Sequence, residues 1–175
     1  MAHFWKSRRR PNVWKGIAAG TLGGLAASLI MSQFQTLWTK ASDAATGNSH
    51  KSNGREQEED PTMKTAESIS RTFTGERLTR RQKQKAGPIV HYAFGAAMGG
   101  VYGAAAEFLP AVKSLSGVPY GAALFVGADE VALPVLGLSK KPVEYPASRH
   151  FYGLSSHFVY GLTLEGVRRL VRDRL

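Results

Sequence analysis

The sequence predicts an all-α fold in which four transmembrane helices form a bundle, and three observations support this prediction. Apolar residues gather in four blocks, each close to the roughly 20 residues that a helix needs to cross a bilayer. Small residues recur within these blocks at intervals of four, as in closely packed membrane helices. Basic residues and most acids lie outside the blocks, so a composition of 43% hydrophobic residues conceals a strong segregation. We therefore expect one membrane domain that comprises residues 1–175.

The first span is expected at residues 14–38. No charged residue occurs between Gly16 and Thr39, and Trp14 and Trp38 bracket the run as interfacial aromatic residues do. A basic patch precedes the run, as in a signal peptide, but the apolar stretch continues beyond the length of a signal peptide's apolar region. We therefore expect this first span to remain in the protein.

Three further spans are expected at residues 88–109, 117–138 and 150–170. In the second, no residue up to Ala106 other than His91 titrates near neutral pH. The third is interrupted only by Asp129 and Glu130. The fourth is short, and it reaches the required length only if Glu165 and the arginines after it extend to the membrane surface.

Small residues spaced by four predict where the helices touch. Inside a soluble helix each glycine costs about 1 kcal/mol relative to alanine, whereas in a bilayer it lets two backbones approach closely. The stripes therefore predict tightly packed membrane helices, an arrangement known as a glycine zipper; glycine-rich soluble helices or loops are the alternative. The predicted packing residues are Gly16, Gly20 and Gly24 of the first span and Gly95, Gly99 and Gly103 of the second.

The segment from residue 40 to residue 87 is predicted to be a polar loop. Within it, Asp60 followed by Pro61 is typical of a helix start, and the next apolar residues fall on one face. This pattern predicts a short amphipathic helix at residues 61–74 on the membrane surface, with an irregular linker as the alternative.

The distribution of basic residues gives conflicting indications of orientation. Four spans place both ends of the chain on one side of the membrane, and the basic residues there indicate the cytoplasm. The basic loop between the first two spans lies on the other side, although the same rule assigns it to the cytoplasm. The sequence therefore does not determine the orientation.

The second and fourth blocks resemble each other. Each begins with a histidine, His91 or His150, and each ends in the pattern Tyr-Gly-x-x-x-Glu, at Glu107 and at Glu165. The match indicates two helical hairpins related as a parallel pseudo-repeat. Chance agreement between helices rich in glycine and tyrosine explains it equally well.

Three stretches of the chain resemble a known family. They are Ala106-Glu107-Phe108-Leu109-Pro110-Ala111-Val112-Lys113, Pro134-Val135-Leu136-Gly137-Leu138 and Glu165-Gly166-Val167-Arg168-Arg169-Leu170-Val171-Arg172-Asp173-Arg174. These motifs are similar to those of the YagU-like family of bacterial inner-membrane proteins, and the similarity covers the second to fourth spans but not the long loop. The resemblance implies a location in the bacterial inner membrane. It implies no molecular activity, and it assigns no role to the Asp129-Glu130 pair.

Ionisable residues at membrane depth are candidates for function, because each costs on the order of 2.5–3.5 kcal/mol at a helix centre. Asp129 and Glu130 fall near the middle of the third span, one turn before Pro134, which cannot donate a hydrogen bond to the carbonyl of Glu130. His157 is the expected histidine partner of these acids, and Glu107 is a further candidate. Together they predict a proton or cation pathway. In the alternative interpretation one of the two acids bonds a neighbouring helix and the other bonds a histidine or water, and Glu107 only reaches the membrane surface.

The remaining charges and motifs exclude several other classes of protein. The net charge of +10 suits nucleic acid or an anionic membrane, but Arg168, Arg169 and Arg172 lie at the end of the fourth span and are predicted to form an interfacial cluster. The chain has no cysteine, no nucleotide-binding loop, no hydrolase elbow and no histidine spacing typical of a metal site. We therefore expect no cofactor, no bound metal and no nucleic-acid partner.

Three functions remain, in order of preference. The first is a non-enzymatic structural or accessory subunit of the inner membrane, whose partners are the lipid bilayer and either further copies of the chain or other membrane proteins. The second is a small proton, cation or solute pathway that uses Asp129, Glu130 and His157. The third, and least favoured, is a membrane enzyme with a His-carboxylate site.

Overall fold

The computed structural model describes residues 10–46 and 60–175, and within these ranges the fold is all-α. The helices are α1 (Val13–Thr46), α2 (Pro61–Thr74), α3 (Arg80–Phe108), α4 (Val118–Leu124), α5 (Leu133–Val135) and α6 (Ala147–Arg172). A π-helical segment, Phe125–Ala132, joins α4 to α5, and 3-10 segments at Pro110–Gly117 and Pro142–Glu144 lie in the turns before α4 and before α6. The prediction of an all-α protein is confirmed.

The long helices run antiparallel to their neighbours. Gly16 and Gly24 of α1 lie against Gly103 and Gly95 of α3, respectively, so residue numbers rise along one helix as they fall along the other. Helix α6 is antiparallel to α1 by the same criterion, and it is also antiparallel to α4. Consequently α3 and α6 are parallel to each other.

The bundle has two chemically different ends. At the first, α1 begins and α3 and α6 end; it holds Arg168 and Arg172, and we call it the arginine end. At the second, α1 ends and α3 and α6 begin; it holds His91 and His150, and we call it the histidine end.

The contact between α1 and α3 is made by the backbones of facing glycines. A Cβ atom placed on Gly16 would lie 2.5 Å from the carbonyl oxygen of Gly103, and one placed on Gly99 would lie 2.7 Å from the Cα atom of Gly24. Non-bonded carbon atoms normally stay about 3.5–4.0 Å apart, so no side chain fits between the helices here. All six glycines named from the sequence lie along this contact, which we call the glycine seam.

The hairpin of α4 and α6 repeats this arrangement in a constant register. The contacts Gly16–Gly103, Gly20–Gly99 and Gly24–Gly95 of the first hairpin correspond to Gly117–Gly161, Gly121–His157 and Phe125–Gly153 of the second. In this register Glu107 matches Glu165, but His91 matches Arg149 and not His150. The histidine that opens each block in the sequence is therefore not part of the structural correspondence.

The described parts of residues 40–87 are mostly helical and do not form the polar loop that the sequence predicts. Helix α1 continues to Thr46, and α3 already begins at Arg80, where Thr79 and Gln82 form a capping box. The prediction of the helix ends was wrong because lysine, arginine and glutamine are good helix formers. These residues indicate where a helix leaves an apolar environment, not where it stops.

The predicted helix at residues 61–74 is confirmed as α2. Asp60 caps it, accepting a hydrogen bond of 2.8 Å from the amide of Thr62, and Gly75 ends it with a φ of 74°. The rest of the predicted loop, residues 47–59, lies outside the described residues.

Helix α2 packs against the first two turns of α3. The side chains of Thr62 and Met63 lie against Gly87, and Glu67 forms an ion pair with Lys83. The hydrogen bond from Lys83 lowers the pKa of the Glu67 carboxyl, because it stabilises the ionised form. The two helices therefore form a short hairpin at the histidine end.

Large apolar side chains lie mainly on the outside of the bundle. The buried positions are mostly glycine, alanine, serine and tyrosine, and they include the charged residues Glu165 and Arg168. The exposed apolar residues include Leu22, Leu29, Leu37, Ile89, Phe94, Val101, Phe108, Val126, Val135, Leu162 and Leu170. Water-soluble domains place residues of this second kind in their cores, so the polarity of this bundle is reversed.

Two helical stretches of the described chain have the length and composition of a membrane span. They are Val13–Ala45, with a mean hydropathy of 1.4, and Pro110–Val135, with a mean hydropathy of 1.2. They overlap the spans predicted at residues 14–38 and 117–138. The predicted spans at 88–109 and 150–170 do not meet this measure, because glycine, tyrosine and histidine contribute little hydropathy to α3 and α6.

Candidate functional site

Asp129 and Glu130 lie on the π-helical segment between α4 and α5. At its end, the amide of Leu133 donates to the carbonyl of Ala128, five residues back and not four. Pro134 follows and has no amide proton for the carbonyl of Glu130, so the α-helical hydrogen-bond pattern cannot continue through this point. Such wide turns are rare and frequently occur at functional sites.

Each of the two acids faces a histidine of α6. Glu130 Oε1 lies 2.8 Å from Nδ1 of His150, and Asp129 Oδ2 lies 3.9 Å from Nε2 of His157. Seven residues separate the two histidines, so they lie on one face of α6 two turns apart. The structure places Asp129, Glu130 and His157 near one another and adds His150; their role in a pathway stays a prediction.

The Glu130–His150 pair shares a proton. Nε2 of His150 donates to the carbonyl of Pro142 at 3.1 Å, so Nδ1 is the nitrogen that faces the carboxyl group. A separation of 2.8 Å between Nδ1 and Oε1 requires a proton between them, carried either by an imidazolium or by a neutral carboxylic acid. This proton can move between the two groups while the ring stays anchored to the backbone.

His157 is anchored in the same manner. Its Nδ1 donates to the carbonyl of Gly153 at 2.9 Å, which directs Nε2 toward Asp129. The Asp129 side chain is 41% exposed, whereas the His157 side chain is 9% exposed.

The acid–histidine pairs lie where the two hairpins differ. In the first hairpin the glycine seam continues to the contact of Gly24 with Gly95. In the second, Phe125 takes the place of Gly24; its ring lies against Gly153, with its centroid 5.4 Å from that of the His157 ring. The π-helical segment begins at Phe125, and beyond it the chain has few contacts with α6. This separation makes room for the two pairs.

A cleft of about 380 Å³ opens at the histidine end between α1, α2 and α3. Nε2 of His91 lies 3.4 Å from Oγ of Ser32 in its wall. Polar residues that line it include Ser32, Gln35, Asp60, Thr62, Gln84 and His91. The sequence did not predict this cleft, because its walls come from three separate segments.

A second cluster of charges lies inside the arginine end. Glu165 is 1% exposed and accepts hydrogen bonds from Arg168 at 2.6 and 2.9 Å, from Arg169, and from the hydroxyl of Tyr102 at 2.9 Å. A buried carboxylate is costly unless it is paired and hydrogen-bonded, and this one meets both conditions. The cluster therefore fastens α3 to α6.

Glu107 lies in this second cluster and not with the other predicted pathway residues. Arg172 donates to its two oxygens at 2.7 and 3.0 Å, and the amide of Asn12, just before α1, donates at 2.8 Å. The C-terminal end of α3 and the π-helical segment lie at opposite ends of the bundle. Glu107 therefore cannot share a ligand with Asp129, and the predicted set of four is reduced to three.

The three arginines predicted to form an interfacial cluster differ in their surroundings. The side chain of Arg169 is 55% exposed, whereas Arg168 and Arg172 are buried in ion pairs with Glu165 and Glu107. The spacing of Glu165 to Arg168 and Arg169 is a local signal for such pairing. The bond between Arg172 and Glu107 joins two helices, and no local pattern could have predicted it.

The described part of the chain contains no group of three or more His, Asp or Glu residues that could hold a metal ion. Each acid–histidine pair supplies only two side chains that could bind a metal ion, one carboxylate and one imidazole.

These observations define the class of protein: an all-α bundle with two candidate membrane-spanning helices, paired charges at one end and acid–histidine pairs at the other. The chain belongs to the family of proteins of unknown function designated DUF1440, whose sequence model matches residues 53–166. The match includes both acid–histidine pairs but not α1 or Arg172, and it begins within the long loop that the YagU-like resemblance leaves out. Comparisons with curated proteins and with solved structures gave no match.

Proposed function

We propose that the chain is a single-domain integral membrane protein in which α3 and α6 cross the bilayer together with α1 and the run from α4 to α5. The reversed polarity of the bundle is the observation that supports this proposal. Ile89 and Phe94 of α3 and Leu162 and Leu170 of α6 point outward, whereas Glu165 and Arg168 of α6 form a buried ion pair. Hydrocarbon solvates such a surface favourably and water does not, and polar groups within a span are expected to face the bundle interior.

The proposed role is that of a structural or accessory subunit in the bacterial inner membrane. The glycine seam holds α1 against α3, and the ion pairs of Glu107 and Glu165 tie the arginine end together, so the bundle is built to keep one shape. Its apolar exterior offers a packing surface to lipid and to membrane helices, either of further copies of the chain or of other proteins. The resemblance to YagU-like proteins supports the inner-membrane location.

Single-cysteine labelling tests the four-span topology, because the chain has no cysteine of its own. Ser68 in α2 and Ser114 in the turn before α4 are both exposed, and α3 lies between them in the chain. With four spans, a membrane-impermeant maleimide labels Ser68→Cys and Ser114→Cys from opposite sides of the membrane. Labelling of both from the same side would mean that α3 does not cross, and it would refute the proposal. Release of the protein by alkaline carbonate would refute membrane integration altogether.

A second function, a proton pathway, is favoured by the two acid–histidine pairs. Glu130 and His150 are at hydrogen-bond distance, 2.8 Å, and can exchange a proton, whereas Asp129 lies 3.9 Å from His157; both histidines are anchored to backbone carbonyls. Ala128 precedes Asp129, so a cysteine at this position reports whether water reaches the pairs. Fast reaction of Ala128→Cys with a water-soluble thiol reagent supports the pathway. No reaction, while Ser68→Cys reacts normally, would refute it and leave the acids as structural groups. The third alternative, a membrane enzyme with a His-carboxylate site, would use the same two pairs, which do not belong to any group of three metal-binding side chains in the described residues.

A further inference from the structure

The histidine end has another cavity, which shares no lining residue with the cleft between α1, α2 and α3. Lys64, Ser68 and Arg71 of α2 form one wall, and Gly137 and Leu138 of the turn after α5 form the other. Its volume is about 520 Å³, which lies within the size range of pockets that hold small ligands. We call this cavity the basic pocket.

The two cationic side chains of the basic pocket are available to a ligand. Lys64 and Arg71 are seven residues apart, so they lie on the same side of α2, about 11 Å apart along its axis. Within the residues that the structure describes, neither side chain forms an ion pair. Ser68 lies between them and is exposed, so its hydroxyl group can donate as well. This set of donors suits an anion.

The one acid of the basic pocket does not cancel its positive charge. Glu67 also lines the cavity, but it forms an ion pair with Lys83 of α3. The opposite wall continues into Lys140 and Lys141, which follow Leu138 in the same turn and are both exposed. The charges of Lys64 and Arg71 are therefore left for a ligand.

Apolar residues beside the basic pocket indicate that the anion belongs to a lipid. Leu138 lines the cavity, and Val135 and Leu136, which precede the pocket residues in the chain, are 79% and 68% exposed. On α2, Ile69 and Phe73 are exposed on the side away from the pocket. A helix divided in this way lies at the level of the lipid headgroups, with its basic face toward the phosphates. A free phosphate ion needs no apolar surface, whereas the acyl chains of a phospholipid do.

We propose that the basic pocket binds the headgroup of an anionic phospholipid, with its phosphate between Lys64 and Arg71 and its acyl chains along Val135 and Leu136. Arginine donates paired hydrogen bonds to phosphate oxygens, and lysine adds a point charge. A lipid bound here connects α2 to the turn after α5. This inference rests on the proposed membrane location, and it names a specific lipid as one partner of the chain.

Lipid binding to the purified full chain in a neutral detergent tests this site, with native mass spectrometry to count bound lipids. The probes are phosphatidylglycerol, which is anionic, and phosphatidylcholine with the same acyl chains, which has no net charge. The wild type should bind phosphatidylglycerol at least roughly tenfold more tightly, because charge-assisted hydrogen bonds are strong. Lys64→Gln/Arg71→Gln should lose this preference while keeping the helical circular dichroism of the wild type.

Arg80→Gln/Arg81→Gln is the matched control. It removes the same charge from exposed residues at the start of α3, at the same end of the bundle, and neither residue lines the basic pocket. This control should keep the preference for phosphatidylglycerol. If Lys64→Gln/Arg71→Gln also keeps it, the lipid binds elsewhere and the proposal is overturned. An equal loss in both variants would overturn it too, because the attraction would then come from the overall positive charge.

A competition experiment separates a lipid from a free phosphate. Inorganic phosphate in large excess should not displace phosphatidylglycerol, because it has no acyl chains to pack against Val135 and Leu136. Displacement would mean that the basic pocket takes a free phosphate, and the assignment to a lipid would fail. A wild type without any preference for phosphatidylglycerol refutes the pocket alone, since cysteine labelling on either side of α3 decides the four-span topology separately.

Discussion

Replacing Gly20 with alanine perturbs the glycine seam at its centre. A Cβ atom on Gly20 would lie 2.8 Å from the Cα atom of Gly103 and closer still to the carbonyl oxygen of Gly99. Carbon atoms in contact stay about 3.5–4.0 Å apart, so α1 and α3 would have to separate by about 1 Å. Both atoms that block the methyl group belong to the backbone, so no side chain can rotate to make room.

The expected cost follows from two opposing effects. Inserting a methyl group into a closely packed contact typically costs about 1–3 kcal/mol, and a clash with the backbone belongs at the upper end of this range. Alanine recovers up to about 1 kcal/mol because it is the better helix former. We therefore expect Gly20→Ala to lower the free energy of unfolding by about 2 kcal/mol.

Unfolding of the detergent-solubilised protein by sodium dodecyl sulfate, followed by circular dichroism, measures this change. Gly166→Ala is the matched control, because Gly166 lies in α6 and a Cβ atom there would meet nothing within 4 Å. The control should be as stable as the wild type or more so. If Gly20→Ala is also as stable as the wild type, the helices are not in backbone contact and the seam has been misassigned.

Two further predictions concern the paired charges. Arg172→Met leaves Glu107 buried without its partner and should lower the free energy of unfolding by about 3–5 kcal/mol, whereas Glu107→Gln/Arg172→Met should recover most of this loss. The bond from Lys83 lowers the pKa of Glu67 below its ordinary value of 4.5, so its contribution to stability is complete above pH 4.5 and disappears as the pH falls through the lowered value. Amide hydrogen exchange in α2 should therefore show this helix docked at neutral pH and loosened in acid.

Each of these predictions has its own control. The double variant would contradict the first if it were as unstable as Arg172→Met, because the loss would then not come from an unpaired Glu107. For the second, Glu67→Gln should remove the difference in α2 exchange between neutral and acidic pH. The same acid loosening in that variant would show that another group controls the docking of α2.

The sequence predicts those features of the fold that depend on local patterns. The four-residue spacing of glycines identifies the surfaces on which α1 and α3 meet, because this spacing places them on one face of a helix. Asp60 followed by Pro61 identifies the start of α2 for a similarly local reason. The predicted ends of α1 and α3 were wrong because a change in polarity along the sequence marks a change of environment and not a change of backbone conformation.

The candidate site could be predicted only in part. The sequence identifies Asp129 and Glu130 as candidates because they interrupt an apolar block. It does not predict the π-helical segment that carries them, because this segment depends on packing around Phe125 and Pro134. In the sequence, His150 is only a residue near the start of a helix. In the structure, the turn before α6 brings it to Glu130. Pairings of this kind join distant segments, and a pattern within one helix contains no information about them.

The difference between the two hairpins has a mechanical consequence. The first hairpin is fastened along most of its length, whereas in the second the close backbone contact extends only from Gly117 to Gly121, and the chain moves away from α6 beyond Phe125. The two segments of the second hairpin can therefore rotate relative to each other about the contact of Gly117 with Gly161, which acts as the pivot. A small rotation at this pivot becomes a larger displacement at the tips, where Glu130 meets His150. A force applied to α5 from outside would therefore act first on the distance between a carboxyl group and its histidine.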